Sequence, residues 1–385
     1  MGHLAAALRP IPRALLLELR ALTVHGPRAR EPLKAVLSVL LAVTVATFLR
    51  LDELSWAAFS GYMVMRADVS ESIPRGLMRI AGTVTGALVG LLLAPVVADN
   101  PVMLMLGLLS ISLLGIFGSL ISRYSYAYVF FGLTAGLVMT EALADPADVV
   151  HFAGTRVAEI VVGTCSALLI ASLFAAAGAP PGTGGPRPPA AAGPLVRLGD
   201  LLCEQWLREH WILLEHSARA ALAVALLPLV WRWFEIEDFS QTAVTSYVVM
   251  IIPAAAVRDG RHQTIYERMA HRTLGCLFGC IVAIACLSMF SNAVLPAVLT
   301  LCAGIWIGYH IQIGREGIGY LGTQFVLGFL ITFIQGPAPV SSILPGLERL
   351  LGIVIGSAML CFLFLVWPLP EYDEGPDALP VRELR

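Results

Sequence analysis

Apolar stretches of about twenty residues, broken by short polar or glycine- and proline-containing turns, fill the chain from residue 33 to residue 367. At 1.5 Å of rise per residue, such a stretch crosses a hydrocarbon core of roughly 30 Å as an α-helix. The pattern predicts spans at 33–50, 54–66, 77–97, 101–121, 124–142 and 153–175, then at 212–233, 240–257, 270–290, 293–310, 316–335 and 347–367. The second of these is short, and its ends are poorly marked. Between the two groups, Gly178–Pro194 reads GAPPGTGGPRPPAAAGP, too rich in Pro and Gly to hold a helix. Leu195–His210 follows with mixed character and predicts an interfacial helix, as does Ala14–Leu22 before the first span. The expectation is an all-α polytopic membrane protein of about twelve transmembrane helices.

The two groups repeat each other. Arg75, Arg79, Gly82 and Gly86 reappear as Arg268, Arg272, Gly275 and Gly279, shifted by 193, and the same shift carries Arg156 and Gly163 onto Arg349 and Gly356. Nearer the start a shift of 185 carries Lys34, Tyr62 and Met65 onto Arg219, Tyr247 and Met250. The difference of eight places an insertion within Ile251–Glu267. The expected organisation is an N-terminal segment 1–32 with an interfacial helix, a six-span repeat 33–175, a linker and interfacial helix 176–211, a second six-span repeat 212–367, and a tail 368–385. Six spans per half give two parallel repeats related by an axis along the membrane normal.

Composition excludes the alternatives to a membrane protein. Of 385 residues 57% are hydrophobic and only 14% charged, with a net charge of −2; soluble domains carry about 25% charged residues. Among 25 basic residues Lys34 is the single lysine. Arginines gather at one set of span ends (Arg66, Arg75, Arg79, Arg123, Arg258, Arg261, Arg268, Arg272, Arg315), which the positive-inside rule assigns to the cytoplasm together with both termini. No cleavable leader is expected, because Arg9 and Arg13 interrupt the early apolar stretch. The seven cysteines form no CxxC pair, and Cys276 and Cys280 read as buried structural thiols. There is no GxxxxGK[ST], HExxH or GxSxG. No enzyme activity, cofactor, metal or nucleic-acid partner is therefore expected.

The remaining chemistry lies in a few ionisable and aromatic positions. Arg75 and Arg79 share a helix face, as do Arg268 and Arg272, with His271 beside them. If the third spans meet at the pseudo-axis, the four guanidiniums face one another across an anion path. The alternative is that they anchor the interface and bind lipid phosphate. Gly82/Gly86 and Gly275/Gly279 permit close helix approach. Arg156 and Arg349 sit at the opposite ends of the sixth spans, where they bind a carboxylate or, for Arg156, pair with Glu159. Lys34 and Arg219 read as snorkelling anchors. Tyr62 and Tyr247 contact a substrate ring or pack. Candidates for proton coupling are Glu159, Glu141 and Glu215, with His216, His271 and His310 as histidine alternatives.

Ser55-Trp56-Ala57-Ala58-Phe59, followed by Arg75 and Arg79-Ile80-Ala81-Gly82-Thr83-Val84-Thr85-Gly86, resembles the fusaric acid resistance family, which includes aromatic acid exporters and is distantly similar to plant aluminium-activated malate channels. The second half keeps Arg272, Gly275 and Gly279 but has Cys276 for the threonine and Gln241 near the expected tryptophan. The resemblance implies proton-driven efflux of aromatic carboxylates or related organic anions across a bacterial inner membrane, in some members with a periplasmic adaptor. Larger members carry a sizeable soluble domain where this chain has only its linker. Competing readings are a passive anion channel and a membrane scaffold that binds lipid without transport. A duplicated chain completes its own pseudo-dimer, so a monomer or a homo-oligomer is expected.

Overall fold

A computed structural model describes residues 7–178, 204–234, 239–260, 263–290, 294–334 and 344–367. These residues form fourteen α-helices and no strand. An N-terminal helix α1 (Ile11–Arg20) precedes the first repeat, which comprises α2 (Pro27–Phe48), α3 (Leu54–Val64), α4 (Val69–Val97), α5 (Pro101–Ile121), α6 (Ser125–Ala144) and α7 (Val149–Ala176). The second comprises α8 (Glu204–Phe234), α9 (Phe239–Val249), α10 (Ala254–Arg258), α11 (Gln263–Phe290), α12 (Val294–Gln312), α13 (Gly319–Phe333) and α14 (Leu344–Val366). The extra residues of the second repeat form α10. Most of the expected linker and the whole tail 368–385 lie outside the described residues.

Among the described residues nine helices are long and apolar enough to cross a membrane, fewer than the twelve expected. The shortfall is systematic. The second crossing of each repeat is an eleven-residue helix, α3 or α9, which rises only about 16 Å, half of a hydrocarbon core. Beyond Val64 the backbone leaves the helix, Met65 taking φ −57° and ψ 130°, and Met65–Asp68 runs on beside α2. Ser38 on α2 reaches Gly61, and Lys34, one turn before it, reaches Ala67. The fifth crossing of the second repeat, α13, is also short, with fifteen residues.

The two repeats pack by the same rules. The third span lies on the fifth (α4 on α6, α11 on α13), and the second on the sixth (α3 on α7, α9 on α14). Between repeats, each first span lies on the other's fourth: α2 on α12, and α8 on α5. These seams carry separate cores. Ala35, Val36 and Val39 meet Leu301, Ile305 and Tyr309, while Leu213, Ala220, Ala223 and Leu227 share a core with Leu104, Leu108 and Ile111. Small residues on the first spans let the backbones approach where lipid supplies no hydrophobic drive.

Residues 195–203 of the expected interfacial helix lie outside the described residues. Glu204–His210 continues into α8 rather than forming a separate element, and Trp206 packs edge-on against Phe117 of α5. The N-terminal helix α1 docks Ile11 and Ala14 against Ala270, Ile311, Ile318 and Leu321 of the second repeat. Glu18 completes that contact by accepting from the backbone N–H groups of Arg315 and Glu316 at 2.6 and 3.0 Å.

Candidate functional site

The geometry starts from the unwound ends of α3 and α9. A helix C-terminus leaves its last carbonyls without intrahelical donors, and at membrane depth each must be satisfied by protein. Around α3 side chains supply every one of four alternate donors. Ser38 Oγ donates to Gly61 O at 2.8 Å, Arg75 Nε to Met63 O at 3.0 Å, Arg66 Nη1 to Met65 O at 3.2 Å, and Lys34 Nζ to Ala67 O at 2.8 Å. In the second repeat His216 Nε2 lies 2.8 Å from Met250 O and must donate, since a carbonyl only accepts. Arg75 and Lys34, expected as gate and anchor, thus both hold a broken helix.

One turn deeper on the third spans lie Arg79 and Arg272, 2% and 1% exposed. Arg79 Nε donates to Ser60 Oγ at 3.2 Å and Nη1 to Tyr126 OH at 3.3 Å; its guanidinium stands 4.0 Å from the Phe130 ring centroid. Arg75 stacks over Tyr126 at 3.8 Å. Arg272 Nε donates to Thr245 Oγ1 at 3.1 Å and Nη1 to Gln324 Oε1 at 2.9 Å, while Arg268 stands 4.5 Å over Tyr320. The shift of 185 equates Ser60 with Thr245, and a shift of 194 equates Tyr126 with Tyr320 and Phe130 with Gln324. Each repeat therefore builds the same nest from its second, third and fifth spans. The aromatic members were missed from sequence because their shift differs by one from that of the arginines.

Charge pairing separates these arginines from the other buried cations. Lys34 pairs with Glu31 at 2.9 Å, Arg156 with Glu159 at 3.2 Å, and Arg219 with Glu215. Among the described residues Arg75, Arg79, Arg268 and Arg272 form no ion pair. Buried guanidiniums without a carboxylate, held by hydroxyls, an amide and ring faces, are an expensive arrangement at membrane depth. It suits an arriving anion: guanidinium forks match carboxylates, and ring faces accept an aromatic body.

The glycine pairs act within each repeat, not between the third spans. A methyl on Gly82 would stand 2.2 Å from Ala127 O, and on Gly86 2.5 Å from Phe131 O. Gly275 and Gly279 meet Leu321 O and Phe325 O of α13 at 2.6 and 2.2 Å in the same sense. The close approach at these glycines joins third span to fifth and so sets each arginine against its nest. The two third spans, expected to face each other if they meet at the pseudo-axis, are not among the closely packed helix pairs of the described residues. Cys276 and Cys280 add to the same contact in the second repeat, lying 3.4 Å from Gln324 O and 3.6 Å from Gly328 O.

Tyr62 and Tyr247 cross between repeats. Tyr62 donates to Gln312 and packs edge-on against Tyr309, ring centroids 5.6 Å apart. Tyr247 reaches Tyr128 O at 3.4 Å and fills a notch between Gly115 and Gly132. Both project from the half-helices, so each broken span is latched to the opposite repeat. At the far end Glu159 accepts from Glu53 N–H at 2.8 Å as well as from Arg156, and Arg156 lies over Trp56 at 4.3 Å. Arg349 is also buried; it stands 5.6 Å from the Phe59 ring of the first repeat and within Coulombic reach of Arg272. His271 is buried beside Arg272.

Residues 32–182 match the model of the fusaric acid resistance protein family. The chain is 31% identical over 140 residues to the uncharacterized transporter YdhK of Escherichia coli K12, covering 35% of this chain and 21% of the relative. It is 26% identical over 172 residues to the uncharacterized transporter GOX0755 of Gluconobacter oxydans, covering 42% and 23%. It is 29% identical over 159 residues to the p-hydroxybenzoic acid efflux pump subunit AaeB of Musicola paradisiaca, covering 38% and 24%. The matched stretch thus spans less than a quarter of each of these relatives. No solved structure matches the chain. The matched stretch, which carries Trp56, Arg79 and the Gly82/Gly86 pair, is similar to the fusaric acid resistance protein family.

Proposed function

We propose that the chain exports organic anions, specifically aromatic carboxylates, across a bacterial inner membrane, using the proton gradient. The supporting observation is the pair of nests around Arg79 and Arg272: one per repeat, fully buried, cationic, flanked by polar and aromatic side chains, and without an ion pair among the described residues. A carboxylate entering either nest supplies the missing counter-charge, with Phe130 or Tyr320 beside it as aromatic neighbours for its ring. The relative described as a p-hydroxybenzoic acid efflux pump subunit agrees with that chemistry. The arginine-rich end faces the cytoplasm under the positive-inside rule, so the nests lie toward the side from which an exporter loads. Lys34 serves the α3 break and Arg156 the far end, Arg219 pairs with Glu215 over the Trp367 ring, and Arg349 adds positive potential near the second nest.

Equilibrium binding to the purified protein tests this reading. 4-Hydroxybenzoate binds, and 4-hydroxybenzyl alcohol, the same ring without the charge, binds at least tenfold more weakly. Arg79→Gln and Arg272→Gln each weaken the acid tenfold or more and leave the alcohol unchanged. Equal binding of acid and alcohol would remove the guanidiniums from the site.

A further inference from the structure

The seam between α2 and α12 holds a buried acid that none of the roles above uses. Glu31 lies in the first turns of α2, 5% exposed. Its Oε1 accepts from Lys34 Nζ at 2.9 Å, and the same ammonium donates to Ala67 O in the unwound segment. Its Oε2 is buried and has no hydrogen-bond partner among the described residues. That sets it apart from Glu159, whose two oxygens accept from Arg156 and from Glu53 N–H. Glu159 gains nothing as an acceptor from a proton, whereas Glu31 has one oxygen already stripped of water and of donors, the arrangement in which a proton is the natural partner.

The surroundings connect that proton to the moving parts. Facing Glu31 are Lys34 on α2, Asp68 at the start of α4, and Tyr309 of the opposite repeat; Arg66 and Arg75 are the cations near Tyr309, and Tyr62 packs on it. The position is duplicated: the shift of 185 that carries Lys34 onto Arg219 carries Glu31 onto His216. His216 also holds the break of its repeat, donating to Met250 O. A titratable side chain therefore sits at the matching place in both repeats, each tied to its own unwound segment.

We propose that Glu31 is the proton-binding residue of this protein, and that its protonation releases Lys34 from the carboxylate and so loosens the unwound Met65–Asp68 segment against the α2–α12 seam. The proton adds to Oε2; no bond within the chain is made or broken. Lys34 is a positioning residue in this scheme. The coupling part rests on the transport reading, but the proton site itself does not.

Two measurements separate the two. pH-difference infrared spectroscopy on purified protein reads carboxyl protonation without transport: the wild type shows a protonated-carboxyl band that Glu31→Gln removes and Glu159→Gln retains. Because Glu31→Gln leaves Lys34 without its anion, Glu31→Gln/Lys34→Gln, which removes the pair together, serves as the folding control and loses the same band. A band unchanged in both Glu31 variants overturns the proposal, whatever the flux. In proteoliposomes with 4-hydroxybenzoate, Glu31→Gln keeps downhill flux within about twofold and loses accumulation driven by a pH gradient at least tenfold. Gradient-driven accumulation intact in Glu31→Gln overturns the coupling role. Wild-type protein that has the band but moves no anion overturns the transport reading alone.

Discussion

The latch between repeats gives a sharp test through Gly115, Tyr247 and their double variant. A methyl on Gly115 would stand 2.2 Å from Tyr247 OH, while the next atoms, Gly132 Cα and Tyr128 O, lie at 3.0 and 3.2 Å. The phenolic oxygen is thus the obstacle. Overpacking of this kind costs about 1–3 kcal/mol, offset by the roughly 1 kcal/mol that alanine gains over glycine inside a helix. Gly115→Ala is expected to lose up to about 2 kcal/mol. Tyr247→Phe removes a hydrogen bond to Tyr128 O that is long, 3.4 Å, so its loss is at the low end of the usual range of about 0.5–1.5 kcal/mol. With the hydroxyl gone the added methyl has room, and the double variant should be no less stable than Tyr247→Phe alone. The coupling then equals the overpacking relieved, about 1–3 kcal/mol. Reversible unfolding in mixed micelles, followed by far-UV circular dichroism, measures it. Additive losses would mean that Tyr247 does not occupy the notch and that the latch is wrongly drawn.

Other consequences follow from the same contacts. Gly82→Ala meets a backbone carbonyl that cannot rotate away and should lower the melting temperature by several degrees, whereas Gly154→Ala, with nothing within 4 Å, should be neutral or stabilising by about 0.5–1 kcal/mol. Lys34→Met leaves both Glu31 and Ala67 O without their donor and should raise amide exchange across Met65–Asp68 more than elsewhere, read by hydrogen–deuterium exchange. Glu18 provides a pH test. Burial alone would raise its carboxyl, but the Glu316 N–H, the Arg28 guanidinium and the Arg315 N–H together hold it below the usual carboxylate range. A depressed folded value means that the docking free energy is fully present above the unfolded value and is lost as pH falls through the folded one. Amide exchange in α1 should therefore rise at acid pH in the wild type, while Glu18→Gln should exchange fast at neutral pH with no further acid-dependent rise.

The repeat was legible because its arginines and glycines recur at fixed shifts, and those residues do recur in equivalent contacts: Gly82 on Ala127, Gly275 on Leu321. The half-helices were not. Met65, Val64 and Met63 are as apolar as the interior of a span, so hydropathy does not register where the backbone unwinds; only the shortness of 54–66 pointed to it. The partners of the guanidiniums were hidden for a different reason. Tyr126 and Phe130 sit on the fifth span, almost fifty residues from Arg79, and only the pairing of third with fifth span brings them together. Glu31 precedes the hydrophobic stretch, so hydropathy gives no sign that it is buried.

The central claim is that Arg79 and Arg272 recognise an exported carboxylate. Flux of 4-hydroxybenzoate in proteoliposomes, with and without an imposed pH gradient, beside the Arg79→Ala/Arg272→Ala variant, tests it most directly. The account predicts accumulation against the substrate gradient that requires the pH gradient and falls at least tenfold in the double variant. Equal flux in wild type and folded double variant would contradict it.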